Sequence, residues 1–357
     1  MKALKILIGL FIGLIIVLGA VFIYYNSQIS SVSDNEEKIV FVVDNGSGTN
    51  TIITKLKEED LIKSEFVTKI YIKLNKIDNI KAGTYELTKA MTTKQILDVL
   101  QKGSSYNPDE ISITFQEGLH MRKIARLISN KTNNTEKDVF DQLANEDYID
   151  SLISKYWFLT EEIKNKDIYY SLEGYLFPDT YRFRNEEVTV KEIFETMLNR
   201  TNVILTKYKD KIEKSDFTVH ELLTLASVVE SESIGVEGRK NVSSVFNNRL
   251  KQGMPLGSCV TTYYAIKIDM SERDLWQTEI DEKNPYNTRG NNAVSALPVG
   301  PISNPGELSI TAALEPADTN YLFFVSDKNR KLYFTSTYKE HTDKISELQK
   351  LGIWYAW

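Results

Sequence analysis

Cysteine is almost missing from this chain of 357 residues, where Cys259 stands alone. A single cysteine excludes an internal disulfide framework and a cysteine-rich zinc site. Histidine is nearly as scarce: His120, His220 and His341 lie far apart with no H-E-x-x-H among them, so a metal site has no support and no cofactor is expected. Nor is there an excess of positive charge. The 43 Lys and Arg residues against 49 Asp and Glu leave a net charge of −6, without the basic footprint of a nucleic-acid surface. What remains, 42% hydrophobic and 26% charged, is the composition of a globular protein long enough for two domains.

One long hydrophobic run is present. Residues 6–25 are 20 positions without a charge, and at ~1.5 Å per residue they span about 30 Å, the hydrocarbon thickness of a bilayer. The run exceeds the ~7–15-residue apolar core of a cleaved signal peptide and reads as a membrane anchor. Lys2 and Lys5 precede it, whereas Asp34, Glu36 and Glu37 follow it before Lys38. By the positive-inside rule, residues 1–5 are then cytoplasmic and everything after the anchor lies outside the membrane. The polar residues 26–38 read as a linker.

Beyond it, the β-branched run 38–43 leads through the turn Asp44-Asn45-Gly46-Ser47-Gly48 into two helix-periodic stretches, a short alternating strand at 82–87 and a helix capped by Thr92. Strand, helix, helix, strand, helix describes a small α/β unit over 39–110. Gly46-Ser47-Gly48 lacks the G-x-x-x-x-G-K-[ST] pattern of a phosphate loop and reads as a turn. Further on come a strand at 112–115, an amphipathic helix with Met121, Ile124 and Ile128, and a charged, mostly helical stretch over 134–165. An aromatic loop, 171–181, suits either sugar recognition or packing. Helices are expected over 188–211 and 236–251, then a hairpin at 321–335 and a closing helix at 339–351. Asn248 and Arg249 suit a capping role better than a ligand contact, and His341 reads as structural. Two loops ruled by Gly and Pro, 285–290 and 297–306, are of the kind on which sites are built.

The chemistry concentrates in 222–233. Thr218-Val219-His220-Glu221 has the form of a capping box, and Leu222, Leu225, Ala226 and Val229 recur at helical spacing behind it. Glu230 falls at the margin of that stripe. Two readings stay open: the polar edge of an amphipathic helix, or a carboxyl whose burial disfavours its charge and fits it for general acid work. Glu232, about 200° further round the axis, is a poor partner for it.

Taken in order, Ala226-Ser227-Val228-Val229-Glu230-Ser231-Glu232, Ser244-Val245-Phe246-Asn247-Asn248-Arg249-Leu250, Tyr286-Asn287-Thr288 and the run 297–306 resemble the endolytic murein transglycosylases, the MltG-type or YceG-like family. So do Lys81-Ala82-Gly83-Thr84-Tyr85 and Glu173-Gly174-Tyr175-Leu176-Phe177-Pro178-Asp179. The resemblance implies an α+β protein with an N-terminal transmembrane helix, a small LysM-like domain at 39–110, a connecting α/β region at 111–210 and a catalytic domain at 211–357. It implies a lyase of the cell membrane that cuts nascent peptidoglycan strands between N-acetylmuramic acid and N-acetylglucosamine, leaving 1,6-anhydro ends. Glu230 would be the catalytic carboxyl. Ser258, Thr261, Tyr264, Tyr286, Asn287, Thr288 and Asn304 would contact the glycan. Implied partners are peptidoglycan strands, the cytoplasmic membrane and peptidoglycan synthases such as penicillin-binding proteins. Relatives commonly carry an aspartate where this chain has Cys259. A non-catalytic peptidoglycan-binding scaffold is the alternative, and a conventional muramidase a third reading.

Overall fold

The computed structural model describes residues 2–43, 47–103 and 109–354. The turn expected at Asp44, Asn45 and Gly46 lies outside them. The protein is mixed α+β and divides into two compact units, Met1–Glu110 and Ile111–Trp357.

The first unit opens with helix α1 (Lys2–Ile29). Within it, Leu10–Ile29 is, among the described residues, the one stretch long and apolar enough to be a candidate membrane span or signal sequence, and none of it is buried. The helix continues past 25 because nothing in Asn26–Ile29 breaks it; Asn26 Nδ2 donates to the Phe22 carbonyl at 2.9 Å. The stretch after Ile29, within the expected linker 26–38, bonds to the rest of the unit. Lys63 Nζ bonds Ser30 Oγ at 2.8 Å, Ser33 N–H donates to the Lys89 carbonyl at 3.1 Å, and Ala90 N–H to the Asn35 carbonyl at 3.1 Å.

Strand β1 (Lys38–Val43) then pairs antiparallel with β2 (Gly83–Thr88), Phe41 opposite Tyr85. Helices α2 (Thr49–Glu58) and α3 (Glu65–Leu74) lie between the strands in sequence, and α4 (Thr93–Lys102) follows. The order inferred from periodicity is the order observed. Period-two alternation buries Phe41 and Val43 while Val40 and Val42 stay exposed. Ile52, Ile53 and Leu56 of α2 and Ile96, Leu97 and Leu100 of α4 close a core over Tyr85 and Leu87. The Thr92–Gln95 capping box starts α4 as its sequence indicates.

In the second unit, β3 (Ile111–Thr114) pairs antiparallel with β4 (Thr180–Phe183). Between them run α5 (Met121–Lys131), α6 (Glu136–Leu143), α7 (Glu146–Lys155) and a 3-10 turn, Glu161–Lys164. Next come α8 (Val190–Lys207), the short α9 (Lys209–Ile212), α10 (Val219–Glu232), α11 (Gly235–Lys251), α12 (Cys259–Ala265), α13 (Gln277–Ile280) and α14 (Glu307–Leu314). The hairpin β5 (Phe323–Ser326) and β6 (Leu332–Thr335) and the helix α15 (Tyr338–Lys350) close the chain. One hydrophobic core runs from β3 to α14, with Phe324, Leu332 and Phe334 of the hairpin packed against it. Ile193, Phe194 and Met197 of α8 join the same cluster as Leu225 and Val229 of α10, so the boundary expected at 210/211 falls inside continuous packing.

Helix α10 is the hub, and here the expectation of an amphipathic helix is corrected. The capping box forms as expected, with Thr218 Oγ1 accepting from Glu221 N–H and Glu221 Oε2 accepting from Thr218 N–H at 2.8 Å. From Leu222 to Val229, however, every residue is buried, because α11, α12, α14 and the 297–306 loop surround the helix. Its polar side chains tolerate this by bonding locally. Thr224 Oγ1 donates to the His220 carbonyl at 2.7 Å and Ser227 Oγ to the Thr224 carbonyl at 2.7 Å.

The aromatic loop is packed: Tyr175, Phe177 and Tyr181 are buried, and Tyr175 Oη lies 2.9 Å from His220 Nδ1. Gly174, at φ +84°, lets that loop meet the 297–306 loop; a Cβ there would stand 2.3 Å from Pro301 Cβ. Asn248 and Arg249 hold the approach to β5 by donating to the carbonyls of Thr319, Tyr321 and Leu322, a structural role. His341 stacks on Phe323 at 5.3 Å.

Candidate active site

The C-terminal turn of α10 carries two carboxyls that face opposite ways, as two residues of helix dictate. Glu230 points toward α11 and the N-terminus of α14. Its Oε1 accepts from Arg239 Nη2 at 2.7 Å, and its Oε2 accepts from Ser309 Oγ at 2.8 Å and from the Gly306 N–H at 3.0 Å. Arg239 Nε donates in turn to Ser309 Oγ at 2.8 Å, which closes a ring of donors around the carboxylate. The Glu230 side chain is only 6% exposed. The lone carboxyl among apolar side chains that the stripe suggested is instead the acceptor of a buried ion pair at a helix N-terminus.

Glu117, on the loop between β3 and α5, joins this cluster, 3.6 Å from Arg239 Nη2. Burial and the neighbouring charge of Glu230 raise its pKa above the ordinary carboxyl value, with Arg239 acting against them. The loop can pass so close because position 306 is glycine: a Cβ there would fall 1.9 Å from Glu117 Oε1.

Glu232 faces the other side. It is partly buried and lines a cavity of about 600 Å3 together with Cys259, Tyr263, Arg249 and Arg289, a volume typical of small-ligand pockets. Its Oε1 accepts from Ser258 Oγ at 2.5 Å. Desolvation pushes its pKa up, with the Ser258 bond and the Arg289 charge opposing the shift. A disfavoured charge and a place in a cavity wall thus coincide at Glu232, two residues beyond Glu230. Cys259 stands in the same wall, its Sγ against the Arg289 guanidinium, and burial raises its pKa as well.

The other expected site residues are all 4% exposed or less. Ser258 alone among them touches Glu232. Thr261 and Thr288 hold it there: their hydroxyls lie 2.8 Å apart, Thr261 Oγ1 donates to the Ser258 carbonyl at 2.8 Å, and Ser258 N–H donates to Thr288 Oγ1 at 3.3 Å. Asn287 accepts from Thr262 Oγ1 at 2.8 Å and donates to the Ile280 and Glu282 carbonyls. Tyr286 packs at 4.8 Å from both Tyr169 and Tyr264. These residues form the scaffold behind the cavity wall.

Tyr264 and Asn304 converge elsewhere, on Glu173, which is 1% exposed. Glu173 accepts from Tyr264 Oη at 2.9 Å, from Asn304 Nδ2 at 3.0 Å and from the Met121 N–H at 2.9 and 3.0 Å. Burial nevertheless pushes its pKa up to about 7. Asn304 also accepts from Leu176 N–H and donates to the Leu119 carbonyl, so it ties three loops together.

Sequence reasoning set Glu232 aside as a poor partner for Glu230 and passed over Arg289, Arg239, Glu117 and Ser309. The first carried a usable signal: it lies off the apolar stripe, in the last helical turn before Ser233. The others are brought in by tertiary packing alone.

The central buried helix of this α+β unit ends by presenting one desolvated carboxyl to a cavity, a placement suited to carboxyl acid–base chemistry. The chain's relatives make the class of protein specific. The chain belongs to the YceG-like family, whose model matches residues 41–347. It is 35% identical over 328 residues to an endolytic murein transglycosylase of Bacillus subtilis, covering 91% of this chain and 89% of that protein. It is 32% identical over 341 residues to an endolytic murein transglycosylase of Streptococcus pneumoniae, of which it spans 61%. The crystal structure of a yceG-like protein from Listeria monocytogenes superposes with a TM-score of 0.61 at 34% identity, covering 86% of this chain and 99% of that one.

Proposed function

We propose that this protein is a membrane-anchored, endolytic peptidoglycan lytic transglycosylase that cleaves nascent glycan strands between N-acetylmuramic acid and N-acetylglucosamine, and that Glu232 rather than Glu230 is its acid and base. Similarity to two curated transglycosylases supports the reaction class. The observation that carries the residue assignment is the position of Glu232: a carboxyl with a raised pKa, open to a cavity, and held on one oxygen by Ser258. Glu230 has its oxygens committed to Arg239, Ser309 and Gly306 and does not line that cavity.

In this mechanism protonated Glu232 gives its proton to the glycosidic oxygen, and the C1–O bond breaks as an oxocarbenium-like centre forms. The resulting carboxylate takes the proton of the muramic acid 6-hydroxyl, whose oxygen bonds C1. The products are a free 4-hydroxyl and a 1,6-anhydro end, and no water is consumed. One carboxyl suffices because the nucleophile is part of the substrate and is delivered at high effective concentration. A glycosidase that uses water needs a second carboxyl. The apolar run of α1 supports anchoring with the soluble units outside the membrane. The strand, helix, helix, strand order of the first unit supports its reading as a LysM-like glycan-holding module. Peptidoglycan synthases are the partners such an activity would work beside.

Product analysis tests the reading. Digestion of uncrosslinked glycan in 18O-labelled water, followed by mass spectrometry, is expected to give anhydro ends free of label. Labelled reducing ends would make the protein a muramidase, and glycan binding with no cleavage would make it a scaffold.

A further inference from the structure

The cavity that Glu232 opens onto also holds unpaired positive charge. Two guanidinium groups line it, Arg249 and Arg289, and neither forms an ion pair among the described residues. Arg249 spends Nε on the Leu322 carbonyl at 2.6 Å and Nη1 on those of Leu256 and Pro255 at 2.8 and 3.3 Å, which leaves Nη2 without a bond among the described residues. Arg289 is exposed, with Nη1 against the Cys259 thiol. Its place is set from behind. Arg289 N–H donates to Asn287 Oδ1 at 3.0 Å, and Thr288 N–H donates to Thr261 Oγ1 at 3.2 Å.

The acids of the same wall do not answer these cations. Glu232 is bonded to Ser258 and carries a proton at the start of the proposed reaction, and Asp274 is exposed to solvent. His341 adds another polar group to the lining, since its Nδ1 is buried and has no hydrogen-bond partner. The rest of the cavity is largely apolar, with Met270, Leu275, Phe324, Ile345 and Trp354 in its walls. Apolar walls around a few convergent donors suit a ligand that has both apolar surface and an anion. The sugar rings of a glycan are neutral and hydroxylated. The peptide carried on the lactyl arm of muramic acid has both features, in its small side chains and its carboxylates. That arm leaves the ring at C3, two carbons from the C1 at which Glu232 would act, so a strand cleaved here brings its peptide to this cavity.

We propose that the cavity is a stem-peptide subsite in which Arg289 binds a carboxylate of the peptide on the muramic acid being cleaved, so that the substrate is the peptide-bearing strand rather than bare glycan. This rests on the reading of Glu232 as the acid of a transglycosylase. Arg249 Nη2 and His341 Nδ1 are the further donors open to that peptide.

The test is kinetic, with the full chain in detergent and three uncrosslinked substrates: strands with intact peptides, the same strands with their peptide carboxylates converted to methylamides, and strands stripped by an N-acetylmuramoyl-L-alanine amidase, which leaves the lactyl carboxylate. Wild-type kcat/KM is expected to be highest on intact strands. It should fall about 10- to 100-fold on the methylamides, the size of one lost charge-assisted hydrogen bond, and at least as far on the stripped strands. Arg289→Gln is expected to lose that preference through KM at an unchanged Tm, and Arg289→Lys to recover part of it. Equal kcat/KM on intact and methylamidated strands, or a preference that survives Arg289→Gln, overturns the proposal. A preference for stripped strands that Arg289→Gln abolishes gives Arg289 the lactyl carboxylate and overturns the peptide subsite. Absence of product from every strand overturns the cleavage reading; calorimetric binding still weakened by methylamidation would then keep the subsite, and binding indifferent to it would overturn both.

Discussion

Replacing each of the two carboxyls of α10 by its amide separates a reacting group from a structural one. Glu232→Gln keeps the shape of the side chain and an acceptor for Ser258 Oγ, whose bond to Glu232 is 2.5 Å. Little stability is at stake, and a change under about 1 kcal/mol is expected for a single hydrogen bond that can reform. The proton for the leaving group is gone, however. General acid–base catalysis of this kind is worth about 10²–10⁴ in rate, or roughly 3–5 kcal/mol of barrier. Glu230→Gln acts the other way. It leaves Arg239, whose side chain is 10% exposed, without its partner at 2.7 Å. Breaking a buried pair costs about 3–5 kcal/mol. Glu117, at 3.6 Å, supplies a partial substitute that points to the lower end. About 3 kcal/mol in a unit of this size lowers Tm by roughly 6–12 °C. The assay is release of anhydro-muropeptides below the melting range, run beside calorimetry of both variants. If Glu230→Gln is inactive at an unchanged Tm while Glu232→Gln cleaves at the native rate, the assignment is refuted.

Two further outcomes follow from the surroundings of these groups. Cys259→Asp places a second carboxyl beside Glu232, where a like charge disfavours ionisation; the alkaline limb of the kcat/KM profile should move to higher pH, and a limb that stays put would remove Glu232 as its source. Glu173 bears on stability. Its folded pKa of about 7 lies above the ordinary 4.5, so its contribution is complete below about 4.5 and is lost as pH rises to 7, a swing of about 3 kcal/mol. Glu173→Gln should flatten the dependence of Tm on pH across that window, and an undiminished slope in the variant would place the linkage elsewhere.

Periodicity, turn chemistry and charge are local properties, and they decided much of this protein. The apolar run in α1, the strand, helix, helix, strand, helix order of the first unit, the capping boxes at Thr92 and Thr218 and the closing hairpin all depend on residues within a few positions of one another. The motifs that mark the family are likewise short runs, and one of them is the turn that carries Glu230 and Glu232. Which carboxyl of that turn lines a cavity was beyond the sequence. Glu230 and Glu232 differ in what approaches them: Arg239 from the next helix with Gly306 and Ser309 from 75 residues or more away on one side, and Ser258 from 26 on the other. Burial of α10 on every face, the withdrawal of Tyr286, Asn287 and Thr288 into a supporting wall, and the meeting of Tyr264 and Asn304 on Glu173 have the same origin. Local pattern sets where a helix starts and which of its faces is apolar. Long-range packing alone sets which polar groups are desolvated, which are paired and which are left open to a cavity.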